Sequence, residues 1–325
     1  MKSQVLILGA SGGIGSEMAK QLREAGWHVK ALKRGLSQTY TQDGIEWILG
    51  DALNPQDVLA AAQGCQVIVH AVNPPGYKRW VEWVLPMIDN TIAAARQVGA
   101  LIVLPGTVYN YGPDAFPLLT EFSPQHPTTQ KGAIRVELER RLAAAAEDWN
   151  VRVLIVRAGD YFGPHVRNSW FAQGMVKPGQ SVKAVQLPGL PGVGHQFAYV
   201  PDVARTMLAL IQRRETLPAF AAYHMAGHWD ADGQELGRAI QRSVVRHRGK
   251  TPKLSAFPWW LVQLASPFVE TFRELLEMRY LWQAEIRMQN HALTAVLGAE
   301  PHTPLDEAIE TTLFGLGCLG LDHRL

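Results

Sequence analysis

The chain opens on a continuous apolar run, VLILG at 5–9, with no polar alternation, which predicts a strand buried on both faces. Ile14, Met18, Leu22 and Ala25 then recur at helical spacing across 13–25. Further strand-like runs are HVKAL at 28–32, EWILG at 46–50, QVIVHAV at 66–72, LIVLPG at 101–106 and VRVLIVRA at 151–158. Helical stripes fall between them, at Val81, Val84, Leu85, Ile88 and Ile92, and at Ile134, Leu138, Leu142, Ala145 and Trp149. This alternation predicts an α/β fold, a doubly wound parallel sheet with helices on both faces. After about residue 226 the pattern turns helical, over 236–246, 259–264 and 268–282. Thr303-Pro304-Leu305-Asp306 reads as a capping box that opens a last helix through 313. The stretch LPGLPGVG at 187–194 is the loop where the chain is expected to cross between lobes. Residues 1–160 and about 195–225 should form the sheet lobe. Residues about 161–194 and 226–325 should form a smaller, mostly helical C-terminal lobe.

Composition narrows this picture. Of 325 residues, 47% are hydrophobic and 18% charged, enough for a large core and unlike a disordered chain. Thirty-one basic side chains against 29 acidic ones give +2, no field for nucleic acid or an anionic membrane. Cys65 and Cys318 are too few for a disulfide scaffold or a Cys-rich metal site, so no metal is expected. No apolar stretch approaches the ~18 residues of a membrane span, and the N-terminal run is too short for a signal peptide. The expected compartment is the cytoplasm.

The chemistry begins at GASGGIG, Gly9 to Gly15, between the first strand and the first helix. Gly9 permits a tight turn. Ser11, Gly12, Gly13 and Ile14 bring backbone N–H groups and a helix N-terminus to a site suited to a pyrophosphate, and Gly15 allows close helix–sheet packing. The spacing Gly9-x-x-Gly12-x-x-Gly15, with GDALN at 50–54, VIVHAV at 67–72, QFAYVPDVA at 196–204 and LGAEPHTPLDEAI at 297–309, resembles the extended short-chain dehydrogenase/reductase family, whose members are epimerase/dehydratase-like. The loop also fits the other main subgroup's Gly9-x-x-x-Gly13-x-Gly15; the later motifs choose between them. The resemblance covers essentially the whole chain. It implies a Rossmann-type dinucleotide-binding lobe with a substrate lobe over its edge, Asp51 and Ala52 beside the adenine, and Ala71 and Val72 beside the cofactor. An acid at the end of the second strand would accept from the ribose hydroxyls of NAD. Here Lys33 and Arg34 stand there, and two cations suit the 2′-phosphate of NADP(H).

The resemblance further implies a Ser/Thr, a Tyr acid/base and a Lys four residues beyond that Tyr. Thr107, counted back from Gly112, falls on the Ser/Thr position. No Tyr in the chain is followed by Lys at that spacing. Counting from Pro127 places Lys131 on the Tyr position, Arg135 on the Lys position and Glu139 on the usual helix Glu. Arg135 is suited to the ribose but not to proton transfer, because its pKa exceeds ~12; Lys131 would need a depressed pKa to act as an acid. Tyr109, Tyr111 and Tyr161 are other phenols, and Tyr109, Tyr161 and His195 are expected at the substrate. Sugar-nucleotide relatives often carry an Asn where Asp160 stands and an Arg where His195 stands. Asp160 would repel a diphosphate. Trp259, Trp260, Phe257 and Phe268 are read as lobe core or a pairing surface, with a substrate lid as the other possibility. Arg238, Arg242 and Arg246 are read as a solvated helix face.

The leading expectation is an NADP(H)-dependent oxidoreductase for a small carbonyl, alcohol or sugar-like molecule. A nucleotide-sugar epimerase/dehydratase and a non-catalytic NADP(H)-binding redox sensor remain open beside it. A homodimer through the helices near 78–98 and 131–149 is expected from the resemblance, with Ala143, Ala144 and Trp83 at the contact.

Overall fold

The computed structural model describes residues 2–74 and 80–320. Positions 78 and 79 of the expected 78–98 helix, and residues 321–325 of the expected helical lobe, lie outside these. In chain order the first half forms β1 (Gln4–Leu8), α1 (Gly13–Glu24), β2 (His28–Lys33), β3 (Tyr40–Gln42), β4 (Ile45–Leu49), α2 (Pro55–Ala62), β5 (Val67–His70), α3 (Trp80–Val98), β6 (Leu101–Gly106), β7 (Leu118–Leu119), α4 (Gln130–Trp149) and β8 (Val153–Arg157). There follow β9 (Asp160–Phe162), β10 (Ala184–Leu187), β11 (His195–Tyr199), α5 (Val200–Gln212), β12 (Phe220–His224) and β13 (His228–Asp230). The last segment holds α6 (Glu235–Arg248), β14 (Lys253–Ala256), α7 (Trp259–Ala265), α8 (Glu270–Glu277), β15 (Arg287–Met288), α9 (His291–Leu297) and α10 (Leu305–Gly315).

Eight strands make one sheet in the order β12-β8-β6-β5-β1-β2-β4-β3. All neighbours run parallel except the short β3, which closes one edge antiparallel to β4. The apolar run of β1 explains its central place. Val5 and Ile7 enter the core on one face with Met18 and Leu22, while Leu6 and Leu8 enter the core on the other with Ile68, Ile88 and Leu138. Side chains alternate across a strand, so only a strand covered on both faces can be apolar throughout. The order reverses at β1, whose neighbours are β2 and β5, and the carboxyl ends of these strands part to leave a crevice. A further core gathers Phe162, Phe171, Leu236, Ile240, Trp282, Ile309 and Leu313 from the later segments. Helix α9 behaves differently, because its Leu293 packs into the sheet-lobe core.

The α/β doubly wound expectation is met, and two local expectations are corrected. Thr303 does not cap α10: its hydroxyl donates to Asp202 Oδ1 at 2.7 Å, Pro304 occupies the cap position without a side-chain bond, and Asp306 binds Arg242. Asp202, at the start of α5, also accepts from Thr303 N–H and from Arg205, so it ties α10 back to the sheet lobe. His228 and His302 lie beside it, with one ligand atom of each of the three residues within 4.8 Å of the others. The aromatic stretch of the helical segment divides: Phe257 and Trp259 pack with Trp170, whereas Trp260 and Phe268 are 67% and 89% exposed. Arg238, Arg242 and Arg246 pair with Asp232, Asp306 and Glu310. Both cysteines are buried thiols; burial pushes Cys65 up to about 11 and raises Cys318 as well. No helix among the described residues is long and apolar enough to cross a membrane.

Behind the carboxyl ends of β6 and β8 lies a buried ion pair. Arg157 Nη2 donates to Glu139 Oε2 at 2.5 Å and Nε to both carboxylate oxygens, while Nη1 donates to Tyr111 Oη at 3.2 Å. Burial pushes the Tyr111 phenol up to about 12. Removing one partner strands a buried charge, which costs far more than the pair itself contributes. Glu139→Ala should therefore destabilise the fold by ~3–5 kcal/mol, seen in urea unfolding as a lower midpoint with an unchanged slope. A loss below ~1 kcal/mol would mean that Arg157 finds another partner.

Candidate functional site

A cleft of about 630 Å³ runs along the carboxyl edge of the sheet. Its centre is the turn between β1 and α1. Gly9 has φ +90°, and a Cβ there would stand 2.5 Å from the Ala71 carbonyl oxygen, so only glycine fits. A Cβ at Gly15 would collide with the Gly9 carbonyl, so the glycine lets α1 pack tightly onto the turn. Gly12 caps α1 without a side-chain bond, and the first turn carries no acid. The N–H groups of this turn thus keep an anion site at a helix N-terminus, and Ser11, Gly12, Gly13 and Ile14 line the cleft. These residues fit the pyrophosphate of a dinucleotide.

At one end of the cleft lie Lys33, Arg34, Asp51 and Ala52. The Lys33 ammonium sits 5.1 Å from the centre of the Trp47 ring, and Arg34 is 3.8 Å from Asp51 Oδ2. Asp51 Oδ1 accepts from Leu53 N–H, and Asn90 donates to the Ala52 carbonyl, so this loop is held from both sides. In the middle, Ala71 and Val72 continue β5. His70, just before them, is buried, and desolvation, with Arg135 adding to it, lowers it to about 3. Thr91 donates its only hydrogen to the Met87 carbonyl, so it accepts from His70 Nδ1–H at 2.8 Å. His70 therefore faces the cleft as a neutral ring protonated on Nδ1.

At the far end stand Thr107, Tyr109, Arg135 and Tyr161. Thr107 Oγ1 accepts from Tyr109 N–H at 3.3 Å and keeps its own hydrogen for another acceptor. Arg135 donates to Asn73 Oδ1 at 3.0 Å and lies over the Trp80 ring. Tyr161 donates to the Gly106 carbonyl, and burial raises its phenol, so that proton is already committed. A side pocket of about 50 Å³, bounded by Asp160, Ser169 and Trp170, opens between Thr107, Tyr109 and Tyr161.

Of the residues expected at catalysis or at the substrate, Lys131 and His195 lie off the cleft. Lys131 is 3% exposed, and its ammonium pairs with Glu274 of α8 at 2.6 Å. His195 is buried behind the side pocket, with Nε2 2.7 Å from Asp160 Oδ2 and its ring stacked on Trp282 at 3.9 Å. Trp83, expected on a pairing surface, lines the cleft instead. Asn73, Trp80 and Arg167 line it too and were not anticipated. Arg167 follows Val166, whose side chain would come within 3.0 Å of a Cβ at Gly13, so this cation stands beside the anion site. The Gly163-Pro164 turn just past β9 was the available signal for it.

The sequence of residues 5–226 matches the model of the NAD dependent epimerase/dehydratase family. A 3-diazoavenalumate denitrifying reductase from a Streptomyces species is 25% identical over 236 residues, spanning 66% of this chain and 73% of that protein. The sterol-4-alpha-carboxylate 3-dehydrogenase (decarboxylating) of Mus musculus is 31% identical over 71 residues, only 19% of its length. Among solved structures, the UDP-glucuronic acid 4-epimerase of Bacillus cereus, in complex with UDP-glucuronic acid and NAD, superposes with a TM-score of 0.71 at 14% identity. It covers 96% of this chain and 98% of that one. A UDP-galactose 4-epimerase gives 0.67 at 19% identity, covering 97% and 98%. At such identities the likeness is one of fold. The glycine turn, the strand order and the family match together assign the chain to the NAD dependent epimerase/dehydratase family, of the extended short-chain dehydrogenase/reductase type.

Proposed function

We propose that the protein is an NADP(H)-dependent oxidoreductase that transfers hydride to or from a small molecule held in the side pocket. One observation carries the reading: a single cleft joins Lys33 and Arg34, the anion site at Gly12 and Gly13, and Thr107 with Arg135. A dinucleotide laid along it has its 2′-phosphate against two cations, its pyrophosphate at the start of α1, and its nicotinamide ribose near Arg135. When bound, the nicotinamide supplies or accepts the hydride. Thr107 offers a hydroxyl to the substrate oxygen. Arg135 of α4 stands in the cleft where the family's Lys is expected, whereas Lys131, at the position of its Tyr, is turned to Glu274. The likeness to a reductase over 66% of the chain supports the redox reading. Asp160, which borders the side pocket where sugar-nucleotide relatives often carry an Asn, is ill suited to a diphosphate, which disfavours nucleotide sugars as substrates.

A second reading, a redox sensor that binds NADP(H) without turnover, is favoured by the withdrawal of Lys131 to Glu274 and of the Tyr161 proton to Gly106. In either case residues 1–160 and about 195–225 serve the dinucleotide, and the rest shape the pocket. We place the protein in the cytoplasm, consistent with two unpaired thiols.

We further infer a homodimer. Between α3 and α4 lies a surface groove of about 640 Å³ that includes Ile92, Ala93, Ala144 and the 48%-exposed Trp149. A second copy, laying its own α3 and α4 against this pair, is the occupant we infer. Light scattering at micromolar concentration should give twice the 35.9 kDa chain mass; a monomer would refute the dimer.

Two measurements address the cofactor and the chemistry. Hydrogen bonds to charged groups contribute ~1.5–3 kcal/mol each. Replacing Lys33 and Arg34 by Ala should therefore weaken NADPH by at least ~10-fold and leave NADH nearly unchanged, as read by fluorescence titration. Equal affinity of the unmodified protein for both nucleotides would overturn the NADP assignment. Thr107→Val should lower turnover at least ~10-fold while NADPH binding persists. If a broad carbonyl and alcohol panel leaves NADPH absorbance unchanged, the sensor reading replaces the enzyme.

A further inference from the structure

Away from the cleft, three chain segments converge on one small cluster. Asp202 lies in the first turn of α5, His228 begins β13, and His302 stands three positions before α10. One carboxylate oxygen of Asp202 and one ring nitrogen of each histidine lie within 4.8 Å of one another. None of the three residues lines the cleft that would hold the dinucleotide, so a ligand here is independent of the hydride-transfer reading.

Two of the three side chains are buried and held in place. Asp202 Oδ1 accepts from the Thr303 hydroxyl and Oδ2 from the Thr303 N–H, both at 2.7 Å. Donors of this kind orient the carboxylates that bind metal ions. The His228 ring packs against Phe162 and His302 at centroid distances of 5.7 and 4.5 Å. His228 is 6% exposed, and its Nε2 is buried with no hydrogen-bond partner among the described residues. A buried ring nitrogen ordinarily has a partner, and beside a carboxylate and a second imidazole a cation is one that fits.

The third side chain, His302, is exposed, which gives the cluster a path to solvent. Arg205 is the opposing charge, because it donates to Asp202 Oδ1 and to Thr303 Oγ1. Its side chain is 47% exposed and can turn into water when another cation takes the carboxylate. Oδ2, with Thr303 N–H as its one donor, keeps a lone pair. Ligand atoms around a tetrahedral zinc ion stand ~3.3 Å apart. A turn of His302 and an outward swing of Arg205 are the movements that close the cluster to that size.

We propose that Asp202, His228 and His302 form a binding site for a divalent transition-metal ion of the zinc type. Two imidazoles and a carboxylate are donors that such ions take, whereas Mg²⁺ and Ca²⁺ take oxygen ligands. Three protein ligands leave a fourth position for water on the exposed side. The ion joins the start of α5, β13 and the segment leading into α10, and so reinforces the Asp202–Thr303 bonds. No cysteine takes part, so a count of two cysteines does not announce the site.

The test uses the full chain without an affinity tag, stripped of metal with EDTA and dialysed. Calorimetric titration with ZnCl₂ should show one ion per chain with a Kd of ~1 μM or tighter, and MgCl₂ should bind at least ~100-fold more weakly. His302→Ala changes an exposed side chain and should weaken Zn²⁺ at least ~10-fold. Asp202→Asn, which still accepts from Thr303, should weaken it by a similar factor. His126→Ala removes an exposed histidine paired with Asp114 and should leave the Kd unchanged. Saturating Zn²⁺ should raise the thermal midpoint of the unmodified chain by at least ~2 °C and leave that of His302→Ala unmoved. Failure of the unmodified chain to bind Zn²⁺ overturns the proposal. Equal Zn²⁺ affinity in the unmodified chain and His302→Ala overturns it too, and marks an adventitious ion only.

Discussion

Everything in the cleft depends on how closely α1 can approach the end of β1. The Gly15 position leaves no room for a side chain against the Gly9 carbonyl, and Gly9 leaves none against Ala71. With those contacts made, the start of α1 points along the sheet edge and presents unbonded N–H groups between β1 and β5. The strand order, reversing at β1, opens the sheet at that point. Anion site and crevice therefore come from one constraint, the absence of two Cβ atoms.

The chemical end of the cleft is organised by charges held in place. Arg157 and Glu139 lie beneath the ends of β6 and β8 and hold the base on which Thr107 stands. Lys131 and Glu274 join α4 to α8 across 143 positions of chain, so the helical segment is tied to the helix that carries Arg135. Asp202 ties α5 to α10 in the same manner, with Thr303 as the acceptor's partner. In each case a buried or half-buried ion or carboxylate does the joining, and apolar packing fills in around it.

Those joints mark the limit of what the sequence alone discloses. The central strands are legible because burial on both faces writes an unbroken apolar run, as in β1 and β6. The glycine turn is legible because its steric demands fix residue types at fixed spacing. Strand β12, FAAYH, and helix α2 carry weaker patterns and emerge only from their neighbours. The cleft positions of Gly12, Lys33, Thr107 and Arg135 follow from local order along strands and loops. The sequence puts Lys131 at the position of the family's Tyr, and nothing local announces its pairing with Glu274, which is remote along the chain. His195 is hidden in the same way: Asp160, 35 positions away, holds it behind the pocket wall. Arg167 belongs to no motif and becomes visible only once Val166 is seen against Gly13.

The two buried cysteines have a practical side. Cys65 and Cys318 are the whole thiol content of the chain, and burial raises both above the ordinary thiol range. Thiolates, not thiols, attack alkylating reagents, so neither side chain competes for a maleimide near neutral pH. A single cysteine introduced on the exposed stretch at Arg167 or Asn168 would then be the lone labelling point of the folded chain. A dye or spin label there would report directly on whether the loop above Gly13 moves as ligands come and go.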